Sequence, residues 1–381
     1  MPKTKNQPNS SQFRELIYQF FDLVKEERNF ILLIGILFFI AGVVYPYPSV
    51  AMWFGFLVAA YSAVSNDSIQ TLGTFIASNA DRRWYILWLY IGGIFLATVT
   101  IGWFLYDGGV SFGRLRTTEG DGSLSFPQPE SFVFLQIAAP IFLLILTRLR
   151  MPVSTTFLLL SSFAVSPGAV GSVVSKSISA YILAFGLGFV VWLLISNITR
   201  RYFVGKPHIG WAVAQWITSG TLWSVWLMQD AANIAIYLPR SLSISQFLGF
   251  ASIVFLGLGL IFYLKGDKIQ DIVNEKSEVT DIRAATIIDF VYALILIYKL
   301  TISTIPMSTT WVFIGLLGGR ELGIRLREQV STKERRKRLR GAFRMIGKDV
   351  GLASIGLIVS VMLAMAVNED FRVQVLEFFR G

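Results

Sequence analysis

The sequence predicts an all-α polytopic membrane protein made of two inverted-topology repeats, with broken helices and half-helix hairpins. Three observations carry this: an apolar composition, a pair of polar motifs that occurs twice, and a contrast in positive charge between two loops. Of 381 residues, 54% are hydrophobic and 15% are charged, with mean hydropathy +0.60. Length therefore counts membrane spans rather than soluble domains. There is no cysteine and one histidine, His208, so disulfide, thiol and zinc chemistry have no carriers and an enzyme is not expected. The net charge of +10 resides between apolar runs, where basic residues orient a chain across a bilayer, and implies no nucleic acid partner.

The repeated motifs organise the chain. Asn66-Asp67-Ser68-Ile69-Gln70 precedes Pro152-Val153-Ser154-Thr155-Thr156, and Gln229-Asp230-Ala231-Ala232-Asn233 precedes Pro306-Met307-Ser308-Thr309-Thr310. Residues 1–28 are polar, with Phe13, Leu16, Ile17, Phe20, Phe21 and Val24 at helical spacing, which predicts an amphipathic cytoplasmic segment on the membrane surface. The first transmembrane repeat covers 29–196. It opens with a span from Phe30 to Tyr45, ended by Pro46 and Pro48, because prolines cannot continue a helix. Val50 to Val64 stops at Ser65-Asn66-Asp67, short of the ~20 apolar residues of a full span, and predicts a helix broken at mid-membrane. Trp84 to Tyr106 spans, Asp107 to Glu130 reads as a solvent loop, and Phe132 to Leu146 spans again. Arg148 and Arg150 lead into Pro152 and a short apolar run, Phe157 to Val165, closed by Pro167-Gly168. This predicts a half-helix hairpin. Ile178 to Ile195 completes the repeat.

A basic linker, 197–208, holds Arg200, Arg201, Lys206 and a solvated His208. The second repeat, 209–381, follows the same plan. Ile209 to Met228 runs into Gln229-Asp230, a short helix reaches Leu238-Pro239, and Phe247 to Leu264 spans. Gly266 to Arg283 is a charged loop. Ala284 to Leu300 leads to Pro306 and the short run Trp311 to Leu317. A basic cytoplasmic loop, 320–348, contains Arg335-Arg336-Lys337-Arg338, and Val350 to Val367 is the last span. Gly168 to Ser177, the counterpart of the basic loop, carries only Lys176. Positive charge marks the cytoplasmic side, so the two loops lie on opposite sides and the repeats are inverted, a plan shared by many secondary transporters. Gly92-Gly93, Gly186, Gly188, Gly257 and Gly259 lie in spans, where they serve close helix packing. Lys299, near the end of a span, snorkels to the interface or approaches the second hydroxyl motif as an anion partner.

A carboxylate inside a bilayer costs about 2.5–3.5 kcal/mol on insertion scales, so Asp67 and Asp230 need partners or a bound cation. With Asn66 and Gln229 they offer hard oxygen ligands suited to Na⁺, and a broken helix would add backbone carbonyls. In each hydroxyl motif a proline suits the first helical turn. The Ser-Thr-Thr behind it groups hydroxyls with free backbone N–H groups, a setting for an oxyanion. Ordinary N-capping is the competing account of each copy.

Taken together, these four motifs resemble the signatures of the PiT family of inorganic phosphate transporters, over most of the chain from about residue 50. The resemblance implies inverted repeats and cation-coupled phosphate uptake across the plasma or inner membrane. By that resemblance Asp67 and Asp230, with Asn66 and Gln229, bind Na⁺ as coupling ion, with H⁺ as the alternative. Ser154, Thr155, Thr156, Ser308, Thr309, Thr310, Gln70 and Asn233 then bind phosphate. The chain departs from the family pattern at Gln70 and Gln229, which stand where Asn is expected, and at Phe157 and Trp311, where a histidine is common. These departures keep open a proton-coupled sulfate or other oxyanion permease and a non-transporting sensor or scaffold of the same fold. The expected partners are the lipid bilayer and the anion, and a homodimer is open.

Overall fold

A computed structural model describes residues 27–118, 122–149, 151, 153–263, 281–328 and 330–380. The amphipathic segment expected at 1–28, Arg150, Pro152 and most of the Gly266–Arg283 loop lie outside the described residues. The first repeat contains α1 (Arg28–Val44), α2 (Pro48–Thr71), α3 (Gly73–Ser78), α4 (Trp84–Leu105), a 3₁₀ turn (Arg114–Arg116), α5 (Phe134–Arg148), a π-helical turn (Thr156–Leu160) and α6 (Pro167–Tyr202). The second contains α7 (Ile209–Ala235), α8 (Ile244–Tyr263), α9 (Ile282–Ile302), α10 (Thr309–Arg327) and α11 (Thr332–Val367), followed by α12 (Glu369–Arg380). Six helices among the described residues are long and apolar enough to cross a membrane. The protein is an all-α, multi-pass integral membrane protein.

Matching motif to motif pairs α2 with α7, α4 with α8, α5 with α9, the π-turn with α10, and α6 with α11. Packing obeys the same pairing: α2 lies on α5 as α7 lies on α9, α4 on α7 as α8 on α2, and α10 on α6 as α11 on the π-turn. Equivalent helices run antiparallel. Asn79, just beyond α3, donates to Gln215 near the start of α7 at 2.9 Å. At the opposite ends, Gly55 early in α2 makes room for the ring of Tyr237 just beyond α7. Trp84 and Tyr263 meet at 5.3 Å between ring centroids, and Trp103 and Phe247 at 5.2 Å, so α4 starts where α8 ends. Antiparallel equivalents are what inverted repeats require.

Each hairpin is docked on the other repeat's long helix. Gly315, Gly319 and Gly323 of α10 face Tyr181, Phe185 and Phe189 of α6 in turn, so the two helices run parallel at backbone contact. A Cβ on Gly319 would overlap the Phe185 carbonyl and lie 2.7 Å from the Phe189 nitrogen. Small residues permit such approach in membranes, where tight van der Waals packing replaces hydrophobic drive. Of the span glycines, Gly92, Gly188 and Gly259 also face close neighbours, whereas Gly93, Gly186 and Gly257 have nothing within 4 Å. Inside α5, Pro140 removes the donor that Gln136 O would have accepted. Tyr237 Oη donates to that carbonyl instead, at 2.8 Å, which is how a membrane helix tolerates proline.

Several boundaries differ from those expected. α2 runs unbroken through Asn66-Asp67 and ends four residues later, at Thr71, with Leu72 capping the next helix before Gly73, and α7 runs unbroken through Gln229-Asp230 to Ala235. Neither helix has a glycine or proline at its acidic motif, and opening the backbone ladder there would strand polar groups in the bilayer. Gly168–Ser177 is not a loop but the first turns of α6, started by Pro167 and the Ser166 cap. The basic region 320–348 is the end of α10 and the start of α11 around a short turn. There Arg325 pairs with Glu321 at 2.6 Å and with Glu328 at 2.8 Å, and Arg338 bridges Glu328 and Glu334 at 3.1 Å each. The Asp107–Glu130 loop is not simply solvated, since Arg114, Leu115 and Phe126 are buried in it.

Gly319→Ala is expected to lower the melting temperature of the purified protein, since overpacking typically costs about 1–3 kcal/mol. Gly257→Ala, in open space, should leave it unchanged or raise it slightly.

Candidate functional site

The two acidic motifs sit inside helices, and each carboxylate is buried: Asp67 is 0% exposed and Asp230 2%. Asp67 Oδ1 accepts from Asn66 Nδ2 at 2.7 Å, and its Oδ2 from the Thr155 hydroxyl at 2.8 Å. Asp230 Oδ2 accepts from the Thr309 hydroxyl at 2.5 Å, and its Oδ1 from Asn233 Nδ2 at 3.0 Å, with the Thr156 hydroxyl 3.3 Å away as an alternative donor whose one proton Met307 O can take instead. No Lys or Arg donates to either carboxylate among the described residues. The Asp67 carbonyl is taken by the Thr71 hydroxyl at 3.0 Å, so the unbroken helix does not offer it to an ion.

The three hydroxyl positions divide their work identically in both repeats. The first residue caps: Ser154 Oγ accepts from Phe157 N at 3.1 Å, and Ser308 Oγ from Trp311 N at 3.2 Å. The second, Thr155 or Thr309, donates to its own repeat's carboxylate. The third crosses to the other repeat. Thr156 donates to Met307 O at 3.1 Å and accepts from Asn233 at 3.2 Å, while Thr310 donates to Val153 O at 3.3 Å and accepts from Gln70 at 3.2 Å. The arrangement has an approximate two-fold axis between the hairpin starts. Phe157 and Trp311 meet there edge to face at 5.7 Å.

The structure thus brings eleven of the twelve sequence-predicted site residues into one buried cluster; Gln229, also buried, adjoins Asp230 along α7 and makes no side-chain hydrogen bond. In and beside the cluster, Gln70 Oε1, Asn233 Oδ1, both polar ends of Gln229 and Trp311 Nε1 have no hydrogen-bond partner. Buried polar groups are rarely left so, and here five such atoms fall on four residues in or next to the motifs. Whichever way each amide is oriented, one end of Gln70 and of Asn233 and both ends of Gln229 have no partner. Asn66 breaks the symmetry with Gln229: it donates to Val153 O at 3.0 Å and accepts from Thr147 at 3.3 Å.

Sequence reasoning missed several contributors. Trp226 Nε1 donates to Thr309 Oγ1 at 3.3 Å, and Tyr292 Oη to Thr309 O at 2.9 Å. Asp289, 1% exposed, accepts from Thr74 at 2.6 Å and Ser219 at 2.5 Å, joining α3, α7 and α9. Its carboxylate within the apolar run Ile287-Ile288-Asp289-Phe290-Val291 is the signal that could have found it. Arg114 and Lys176 are buried near the second hydroxyl motif, and Lys299 does not snorkel: it is buried against Ser179 at 2.8 Å. His208 is an exposed N-cap of α7, its Nδ1 accepting from Gly210 N at 3.0 Å.

Ser154→Ala and Ser308→Ala should each cost about 1 kcal/mol of stability through the lost cap. Thr309→Val should cost more, about 1–3 kcal/mol, because it leaves Asp230 Oδ2 buried without its donor. Thermal unfolding of the purified variants measures the order, and equal losses at Ser308 and Thr309 would contradict this division of roles.

No family model matches the chain, and no curated protein matches it. Among solved structures, it is similar to one described as the sodium-dependent phosphate transporter, with 18% identity, a TM-score of 0.50, and coverage of 83% of this chain and 98% of that chain. At that identity the likeness speaks for architecture alone: the chain has the PiT-like fold of that transporter.

Proposed function

We propose that the protein is a secondary active transporter that moves a tetrahedral oxyanion, inorganic phosphate, together with Na⁺. The observation that carries this is the composition of the buried cluster: two carboxylates without a cationic partner, beside amide oxygens without donors, at the meeting of two helix starts. Two carboxylates in one buried site oppose each other and the bilayer, and Arg114 acts only on Asp230 and only through space, so a cation bound between them stabilises the cluster. Gln70 Oε1, Gln229 Oε1 and Asn233 Oδ1, with the carboxylates, supply the oxygen ligands a hard cation takes.

Coupling follows from charge. While the carboxylates are bare, they repel phosphate and hold the Thr155 and Thr309 hydroxyl protons. A cation on each carboxylate cancels the repulsion and frees those hydroxyls to turn toward the anion. Ser154 and Ser308 accept backbone N–H bonds as caps and keep their own O–H to donate, and Gln229 Nε2 is a further donor. The two helix starts add free N–H groups and the positive ends of their dipoles. The solved neighbour's name, a sodium-dependent phosphate transporter, supports the same substrate and ion.

Orientation follows the positive-inside rule. Arg327 Nε donates to Leu193 O at 3.0 Å, so the end of α6 and the α10–α11 turn share one basic end, which faces the cytoplasm. The 107–133 loop faces the other side. The membrane is the plasma or inner membrane.

The test is uptake of labelled phosphate into proteoliposomes. Asp67→Asn and Asp230→Asn should each abolish Na⁺-activated uptake while the protein stays folded. Ser154→Ala or Ser308→Ala should raise the half-saturating phosphate concentration about 2–12-fold, the equivalent of one neutral donor worth about 0.5–1.5 kcal/mol. Wild-type Na⁺ activation in both Asp variants would make the carboxylates structural. Stronger competition by sulfate than by unlabelled phosphate would reassign the anion.

A further inference from the structure

Three buried cations surround the link between α9 and α10, and the cluster described above uses none of them. Arg114 is 2% exposed, Lys299 6% and Lys176 9%. Arg114 Nε donates to Met228 O at 3.1 Å, and its Nη1 to Ser303 O at 3.1 Å and Ile305 O at 3.3 Å. Lys176 Nζ donates to the same two carbonyls, Ser303 O at 3.0 Å and Ile305 O. Lys299 Nζ donates to Ser179 Oγ. No carboxylate accepts a hydrogen bond from any of the three among the described residues, although Asp230 acts on Arg114 through space.

Satisfying the last carbonyls of α9 explains one cation, as a C-terminal cap that also complements the helix dipole. It does not explain two cations on the same pair of oxygens with a third nearby. Like charges gathered out of water repel; Asp230 offsets Arg114 through space, and an anion bound near Lys176 and Lys299 would relieve the repulsion that remains. The second observation is a cavity of about 250 Å³ that shares Ile305 with this group, lined by Thr117, Ser125, Gly168, Ser172, Val173 and Ile305 among others, with the three cations behind its lining rather than in it. At ~30 Å³ per water it holds roughly eight water volumes, enough for a partly hydrated oxyanion. Its walls offer hydroxyls and the first turn of α6. Ile305 both lines it and accepts from Arg114 and Lys176, and lies three residues before the cap Ser308. Lys176 lies one helical turn below Ser172.

We propose that this cavity, made electropositive by the three cations grouped around Ser303 and Ile305, is a second oxyanion site, an outer station for phosphate or sulfate before the Ser308–Thr310 helix start. Binding there stands independently of transport; only its role as an entrance rests on the transport reading. A cleft of one sign of charge concentrates its counter-ion and raises encounter rates, so the station would feed a central site that carboxylates guard.

The chain has no cysteine, so a single Ser172→Cys in the full-length, reconstituted protein reports the local field. A negatively charged thiosulfonate reagent should modify it faster than a positively charged one by about tenfold or more. Inorganic phosphate or sulfate should slow that modification. Combining Ser172→Cys with Lys176→Met and Lys299→Met should remove both effects, and Lys176→Arg should retain them. Protection should persist with Asp230→Asn, which disables the central site. Equal rates for the two reagents, absence of protection, or protection lost with Asp230→Asn would each overturn the outer site. Labelling needs no flux, so uptake without charge-selective labelling rejects this site alone, and charge-selective labelling without uptake rejects the transport reading alone.

Discussion

Asp67 and Asp230 are carboxylates kept inside a membrane core with only hydroxyls and amides for company, and the architecture follows from how they are held. Each takes a threonine from its own repeat's hairpin, which fixes the hairpin start beside the acidic helix. The third hydroxyl of each motif then reaches across to a carbonyl of the opposite hairpin and is met by an amide from the opposite acidic motif. Each carboxylate takes its second-position threonine within its own repeat, while the third-position threonine and the amide that meets it join the two repeats. Neither half can therefore build the cluster alone, and the two hairpins must be presented tip to tip.

The packing outside the cluster serves that presentation. α10 lies against α6 with glycine facing backbone over three successive turns, which ties the second hairpin to the last helix of the first repeat. The π-turn lies on α11 through Val153 and Gly356, and Asn368 donates to Ala164 O at 3.2 Å at the far end of the same contact. Each hairpin is thus carried by the other repeat's long helix. A relative movement of the repeats would have to shift both hairpin starts together, the kind of paired displacement that alternating access requires.

Much of this was legible in the sequence, because residue types in a bilayer are constrained by cost. Asp67 and Asp230 stood out since a carboxylate there needs a reason, and the doubled Ser-Thr-Thr gave the partner elements. The inversion was legible from Lys and Arg counts in two segments, even though both segments prove to be helical. The helix breaks were misplaced because a polar residue was taken as a chain interruption. A side chain that finds its own partners leaves the backbone ladder intact, and Gly73, not Asp67, marks the break. The work of the hydroxyls was only half visible. Spacing identifies Ser154 and Ser308 as caps or ligands alike, and only the distances separate them from Thr155 and Thr309. Arg114 was hidden for another reason: a Gly- and Ser-rich loop reads as solvated, and nothing local says that it folds back into the core.

Departures from two-fold symmetry are the most informative feature of the site. The repeats agree at the carboxylates, the caps and the crossing threonines, which are the groups that hold the protein together. They disagree at Asn66 and Gln229: the shorter amide reaches Val153 O and Thr147, and the longer one reaches nothing. They disagree again in charge, since Lys176 and Arg114 crowd the second hairpin start while Arg148, before the first, is paired with Glu27 at 2.6 Å. A purely structural cluster would gain nothing from leaving one amide unsatisfied and one hairpin start flanked by unpaired cations. A site that binds a cation and an anion together gains from both. On the transport reading proposed above, Gln229 would offer an oxygen and a nitrogen to the two ligands, and the one-sided positive charge would give the anion a preferred direction of approach.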